Sequence, residues 1–196
     1  GFKPRFVLEK GELKLIRNFI DKDEKFLEYQ KYLPKIKKYD YFYKIKFRTE
    51  MIEFPYSISI LSDPFRNFRI IFYIFISKLL KLEKELEVYP LPMKVIMEAN
   101  LKLRYSLFTK DKYALKLMEK IAEEFAAYAN KEKFIPIFLF MPQKDDLLFI
   151  RKKGLYYANF IKAVKKKMYT IDLTEYLLER YDLDEIYSDD NEYGGH

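Results

Sequence analysis

The sequence predicts an α/β protein, and three observations carry that expectation. "FIPIFLFMP" (Phe134–Pro142) is a continuous apolar run of strand length ended by proline, the pattern of a strand buried on both faces. "MYTIDLT" (Met168–Thr174) is a second short run of the same kind. The two lie too far apart for a hairpin and are separated by helical periodicity, which predicts parallel strands joined by a right-handed crossover, with a helix on each face of the sheet.

The elements follow in order. "RFVLEKGELKLI" (Arg5–Ile16) alternates on each side of Lys10-Gly11, as a hairpin does. Residues 20–105 show apolar positions without strand alternation and are expected to be irregularly packed helices. Pro34 is expected to interrupt one of these helices, Asp63-Pro64 to break the chain again, and Pro90 and Pro92 to end another. From Asp111 to Lys131 apolar residues recur at Ala114, Leu117, Met118, Ile121, Ala122, Phe125 and Ala129, the stripe of an amphipathic helix. Tyr157, Phe160, Ile161 and Val164 mark a helix between the two strands, and "TEYLLERY" a short one after them. Two strands are too few for a doubly covered sheet, so further strands are expected from sequence upstream. The absence of a methionine at Gly1 fits that expectation.

Composition excludes several chemistries. There is no cysteine and one histidine among 196 residues. A thiol nucleophile, a disulfide framework, a Cys-based zinc site and any two-histidine metal site within the chain are therefore excluded. The lack of cysteine is compatible with any compartment. The net charge of +7 invites a nucleic-acid reading. However, acids are interleaved with the lysines, and only Lys31–Arg48 and Lys162–Lys167 are locally basic. Solvated surface accounts for these runs, and nucleic acid is not the expected partner. "RIIFYIFISK" is far too short an apolar stretch to cross a bilayer.

In open parallel sheets the reactive groups collect beyond the carboxyl ends of the strands. "SDDNEYGGH" (Ser188–His196) follows the last strand and one short helix, so it can return to that edge. Gly194 and Gly195 let the backbone bend sharply before His196. A neutral imidazole can take a proton from a hydroxyl when a carboxylate fixes its tautomer, and Asp189, Asp190 and Glu192 are the local candidates. The competing readings are a purification-tag start for Gly-Gly-His and ordinary solvated acids for the other three. Asp172 reads as a cap for the helix after it, and Asp145-Asp146 as helix-start residues whose loop faces the same edge.

The order of strand "FIPIFLFMP", helix, strand "MYTIDLT", short helix and an acid-rich loop ending in Gly-His resembles the C-terminal half of an SGNH (GDSL-type) hydrolase. "KPRFVLEKGELKL" resembles the segment after that family's oxyanion-hole asparagine in long members. The resemblance implies a flavodoxin-like three-layer α/β/α domain with parallel strands. Residues 1–19 and 106–196 would belong to it, and 20–105 would form a helical insertion or cap. It further implies a serine-dependent ester hydrolase or acyl transferase that uses no cofactor and acts on a small-molecule, carbohydrate or lipid ester, with His196 as base and Asp190 or Asp189 as its partner. Two departures stand beside it. The position three before the histidine, where the family carries its aspartate, is Tyr193, and no serine here is preceded by glycine-aspartate. The nucleophile would then lie outside these residues, and the chain alone would be inactive. The rival readings are a non-enzymatic module binding a polyanion through the Tyr-rich block Lys31–Arg48, and an inactive structural relative of the hydrolases.

Overall fold

The computed structural model describes residues 4–47, 50, 53–80, 90–180 and 182–183. The chain divides into two compact units, Gly1–Phe68 and Arg69–His196.

The first unit opens with the hairpin read from the alternation. Strand β1 (Arg5–Glu9) pairs antiparallel with β2 (Glu12–Ile16), Leu8 facing Leu13 and Glu9 facing Glu12. The turn residues Lys10 and Gly11 have φ of +53° and +89°. Two positive φ values in a two-residue loop match the twist of the flanking strands. A Cβ on Gly11 would meet nothing within 4 Å, so the backbone angle and not space calls for glycine there.

Helices α1 (Asp23–Leu27), α2 (Leu33–Tyr39) and α3 (Tyr56–Leu61) follow. Arg5 Nη1 lies 3.4 Å from the Ile36 carbonyl, to which it donates, and 3.4 Å from Asp40 Oδ2, tying the hairpin to α2. Helix α4 (Pro64–Leu79) is started by Asp63, whose Oδ1 accepts the Arg66 N–H at 3.2 Å. Buried Asn67 donates to the Ser59 and Ile60 carbonyls at 3.3 and 3.0 Å, satisfying oxygens at the end of α3.

Two prolines stand at helix starts. Pro34 lies in the first turn of α2, directly after the turn at Tyr32 that interrupts the helical stretch begun by α1. Pro90 opens α5 (Pro90–Thr109), and the helix expected to end there would lie in 81–89, outside the described residues. A first-turn residue has no intrahelical use for its N–H, and the fixed φ of proline already suits a helix. Among the described residues, 20–105 carry helices and no strand.

The second unit is the α/β part. Helix α6 (Lys112–Glu132) is capped by Asp111, whose side chain accepts the Ala114 N–H at 2.8 Å. Lys133, at φ +61°, ends it. Strand β3 (Ile137–Phe140) pairs in parallel with β4 (Tyr169–Asp172), Ile137 opposite Tyr169 and Phe140 opposite Asp172. The crossover holds two helices, α7 (Lys144–Lys153) and α8 (Ala158–Lys165), separated at Gly154 with φ +86°. Helix α9 (Thr174–Arg180) follows β4.

One face of this sheet makes the core. Phe138 and Phe140 pack against Ala122 and Ala126 of α6, Tyr157, and Phe160, Ile161 and Val164 of α8. Small alanines on α6 let its backbone come close to the aromatic layer. The other face carries Ile137, Leu139, Tyr169 and Ile171, which are 44–74% exposed. The expected helix on each face is therefore not met among the described residues, because α6 and α8 both bury their stripes against the same side.

Candidate functional site

The loops beyond the carboxyl ends of β3 and β4 were expected to hold the chemistry, and two networks meet there. The first starts from Asp146, in the opening turn of α7 and almost wholly buried. Its Oδ2 accepts the Gln143 N–H at 3.0 Å, so it caps the helix it belongs to. Its Oδ1 accepts from Arg104 Nε of α5 at 2.9 Å and from the Tyr156 hydroxyl at 2.7 Å. Arg104 Nη2 reaches Asp145 Oδ2 at 2.6 Å. One guanidinium thus bridges two adjacent carboxylates, its Nε serving Asp146 and its Nη2 serving Asp145 from one planar fork.

The electrostatics follow from one cation facing two anions. Burial alone would lower the Arg104 pKa, but the charges of Asp146 and Asp145 outweigh it and hold the group above its usual value. Burial pushes the Asp145 carboxyl up, and the charge of Asp146 adds to this against the pull of Arg104. The Tyr156 phenol is also raised, first by burial and then by its hydrogen bond to Asp146. Tyr156 therefore acts as a fixed donor.

The second network closes β4. Asp172 Oδ1 accepts the Thr174 N–H at 3.1 Å and the Thr174 hydroxyl at 2.5 Å. Thr174 Oγ1 also shares a 2.6 Å hydrogen bond with the hydroxyl of buried Tyr157. Asp172 is thus the helix cap expected of it. Adjacent Tyr156 and Tyr157, with ring centroids 4.9 Å apart, join the two networks, and the Phe140 ring lies 4.3 Å from that of Tyr157. A groove of about 560 Å³ runs beside β4, lined by Lys162, Lys165, Thr170, Asp172 and Glu175 among others.

His196, Asp190, Asp189 and Glu192 lie outside the described residues. The site residues that sequence reasoning missed are Arg104 and Tyr156. Their signal was faint: a single arginine in "LKLRYSLF" and a tyrosine pair in "GLYYANF". Nothing local says that residues 42 and 10 positions from Asp146 meet it.

In the basic block, Lys37 Nζ lies 4.9 Å above the Tyr43 ring and Lys38 Nζ lies 5.5 Å above that of Tyr39. Cations and rings there engage each other. Among the described residues no group of three or more histidine, cysteine, aspartate or glutamate side chains could hold a metal ion. No protein-family model, curated protein or solved structure matches the chain.

Proposed function

We propose that this chain is the C-terminal part of a serine-dependent ester hydrolase or acyl transferase of the SGNH type, contributing the acid-base side of its site. The observation that carries the reading is the β3–β4 pair. It is a parallel unit whose inner face is packed by α6 and α8, while its outer face of Ile137, Leu139, Tyr169 and Ile171 is apolar and exposed. Parallel sheets are stable when both faces are covered. A flavodoxin-like three-layer domain, completed by strands and helices from elsewhere in the parent protein, supplies that cover.

In this reading the clasp of Arg104, Asp145, Asp146 and Tyr156 is a positioning device that anchors the loop after β3. The base is His196, oriented by Asp190 or, in its place, Asp189. It takes the proton of a serine hydroxyl that these 196 residues do not supply, the serine oxygen attacks the ester carbonyl, and the imidazolium returns the proton to the leaving alcohol. Water then releases the acyl group by the same route in reverse, or a second alcohol accepts it. The substrate class is a small-molecule, carbohydrate or lipid ester.

The test is turnover of p-nitrophenyl acetate. The 196-residue chain alone should leave the ester intact. In the full-length protein His196→Ala should lower kcat/KM by roughly three orders of magnitude or more with folding unchanged. Equal rates for the two proteins would remove His196 from the mechanism, and a full-length gene without an upstream Gly-Asp-Ser would end the hydrolase reading.

A further inference from the structure

Helix α4 has buried residues on one side and exposed apolar ones on the other. Asn67 and Ser77 are buried, while Phe65, Phe68, Phe72, Phe75 and Leu79 are 56–76% exposed. Their 3-4-3-4 spacing places all five on one stripe, and a helix of 16 residues is about 24 Å long. Exposed Ile71 and Leu80 widen the stripe. From Pro64 to Leu80 the chain has no aspartate or glutamate, and its charges are Arg66, Arg69 and Lys78.

We propose that this stripe docks on an anionic lipid surface, with α4 lying in the plane of the interface. A phenylalanine-rich face on an acid-free helix, in a chain of net charge +7, is complementary to an apolar layer under negative headgroups. The helix lies on the bilayer and does not span it, since no described helix is long and apolar enough to cross one. A second copy of the chain fits less well. In the heptad set by this spacing, the flanking positions are Arg69, Ile71, Ile76 and Lys78, and Arg69 is already paired with Glu98, so α4 offers a second copy of itself no acid to pair with Lys78. The proposal is independent of the ester-hydrolase reading.

The chain lacks tryptophan, so Phe72→Trp gives a single-site reporter. With vesicles of equal phosphatidylcholine and phosphatidylglycerol, its emission should shift to the blue and be quenched by brominated acyl chains. Tyr113→Trp on α6 should do neither. Binding to pure phosphatidylcholine should be at least roughly tenfold weaker. Phe72→Glu combined with Phe75→Glu should lower the fraction pelleting with anionic vesicles at least roughly tenfold, with the circular dichroism spectrum unchanged because both sites are exposed. An unshifted Phe72→Trp spectrum, equal affinity for neutral vesicles, or a dimer in sedimentation that the glutamate pair dissolves would each overturn the proposal.

Discussion

Arg104→Met is the most informative single perturbation of this fold. It keeps the apolar stem of the side chain and removes the cation that faces Asp145 and Asp146. Breaking a buried pair by removing one partner costs about 3–5 kcal/mol, because the other charge is left stranded. Here Asp146 keeps two donors, the Gln143 N–H and the Tyr156 hydroxyl, and the Arg104 side chain is about a quarter exposed. The expected loss therefore falls at or just below that range, about 2–3 kcal/mol. With a urea slope of about 2–3 kcal/mol/M, the midpoint followed by far-ultraviolet circular dichroism should fall by about 1 M. In an Asp146→Asn background the same arginine substitution should cost about 1 kcal/mol less, since the stranded anion is gone. Amide exchange across residues 143–157 should accelerate. Arg69→Ala, which breaks the more exposed pair with Glu98, should leave the midpoint where it was. A change below about 0.5 kcal/mol for Arg104→Met would refute the argument that this clasp holds α5 to the start of α7.

Three further outcomes are expected. The Asp145 carboxyl is raised by burial, so its contribution to stability is fully present below the ordinary carboxylate value of 3.8 and is lost as pH rises through its higher folded value. Relative to Asp145→Asn, the wild type should therefore weaken as pH climbs from about 4, and parallel pH profiles of urea midpoints would contradict this. Leu147 is fully buried against Leu183, Leu177 and Leu178, so Leu147→Ala should cost about 3 kcal/mol in urea unfolding and loosen α9 first in amide exchange. Gly11→Ala should cost about 1 kcal/mol through its positive φ alone, seen as faster exchange in residues 5–16 with the second unit unchanged.

Much of the local structure was legible because it is set by neighbours in the chain. Alternation around Lys10-Gly11 gave the hairpin, and the α6 stripe gave a helix at nearly its observed length. Two apolar runs separated by helical periods gave a parallel pair, since no short turn can join strands so far apart. A proline both stops one helix and suits the first turn of the next, so Pro34 and Pro90 mark boundaries in the sequence, but the helices they open are seen only in the fold. The tertiary structure decided which side of the sheet is covered. Phe138 and Ile137 are equally apolar in sequence, but α6 and α8 converge on the side of Phe138 and leave Ile137 exposed. It also decided that Arg104 meets Asp146 across 42 positions of chain. Periodicity records which residues share a face, whereas the partner of that face, and the charge that a buried carboxylate requires, are fixed only when distant elements pack together.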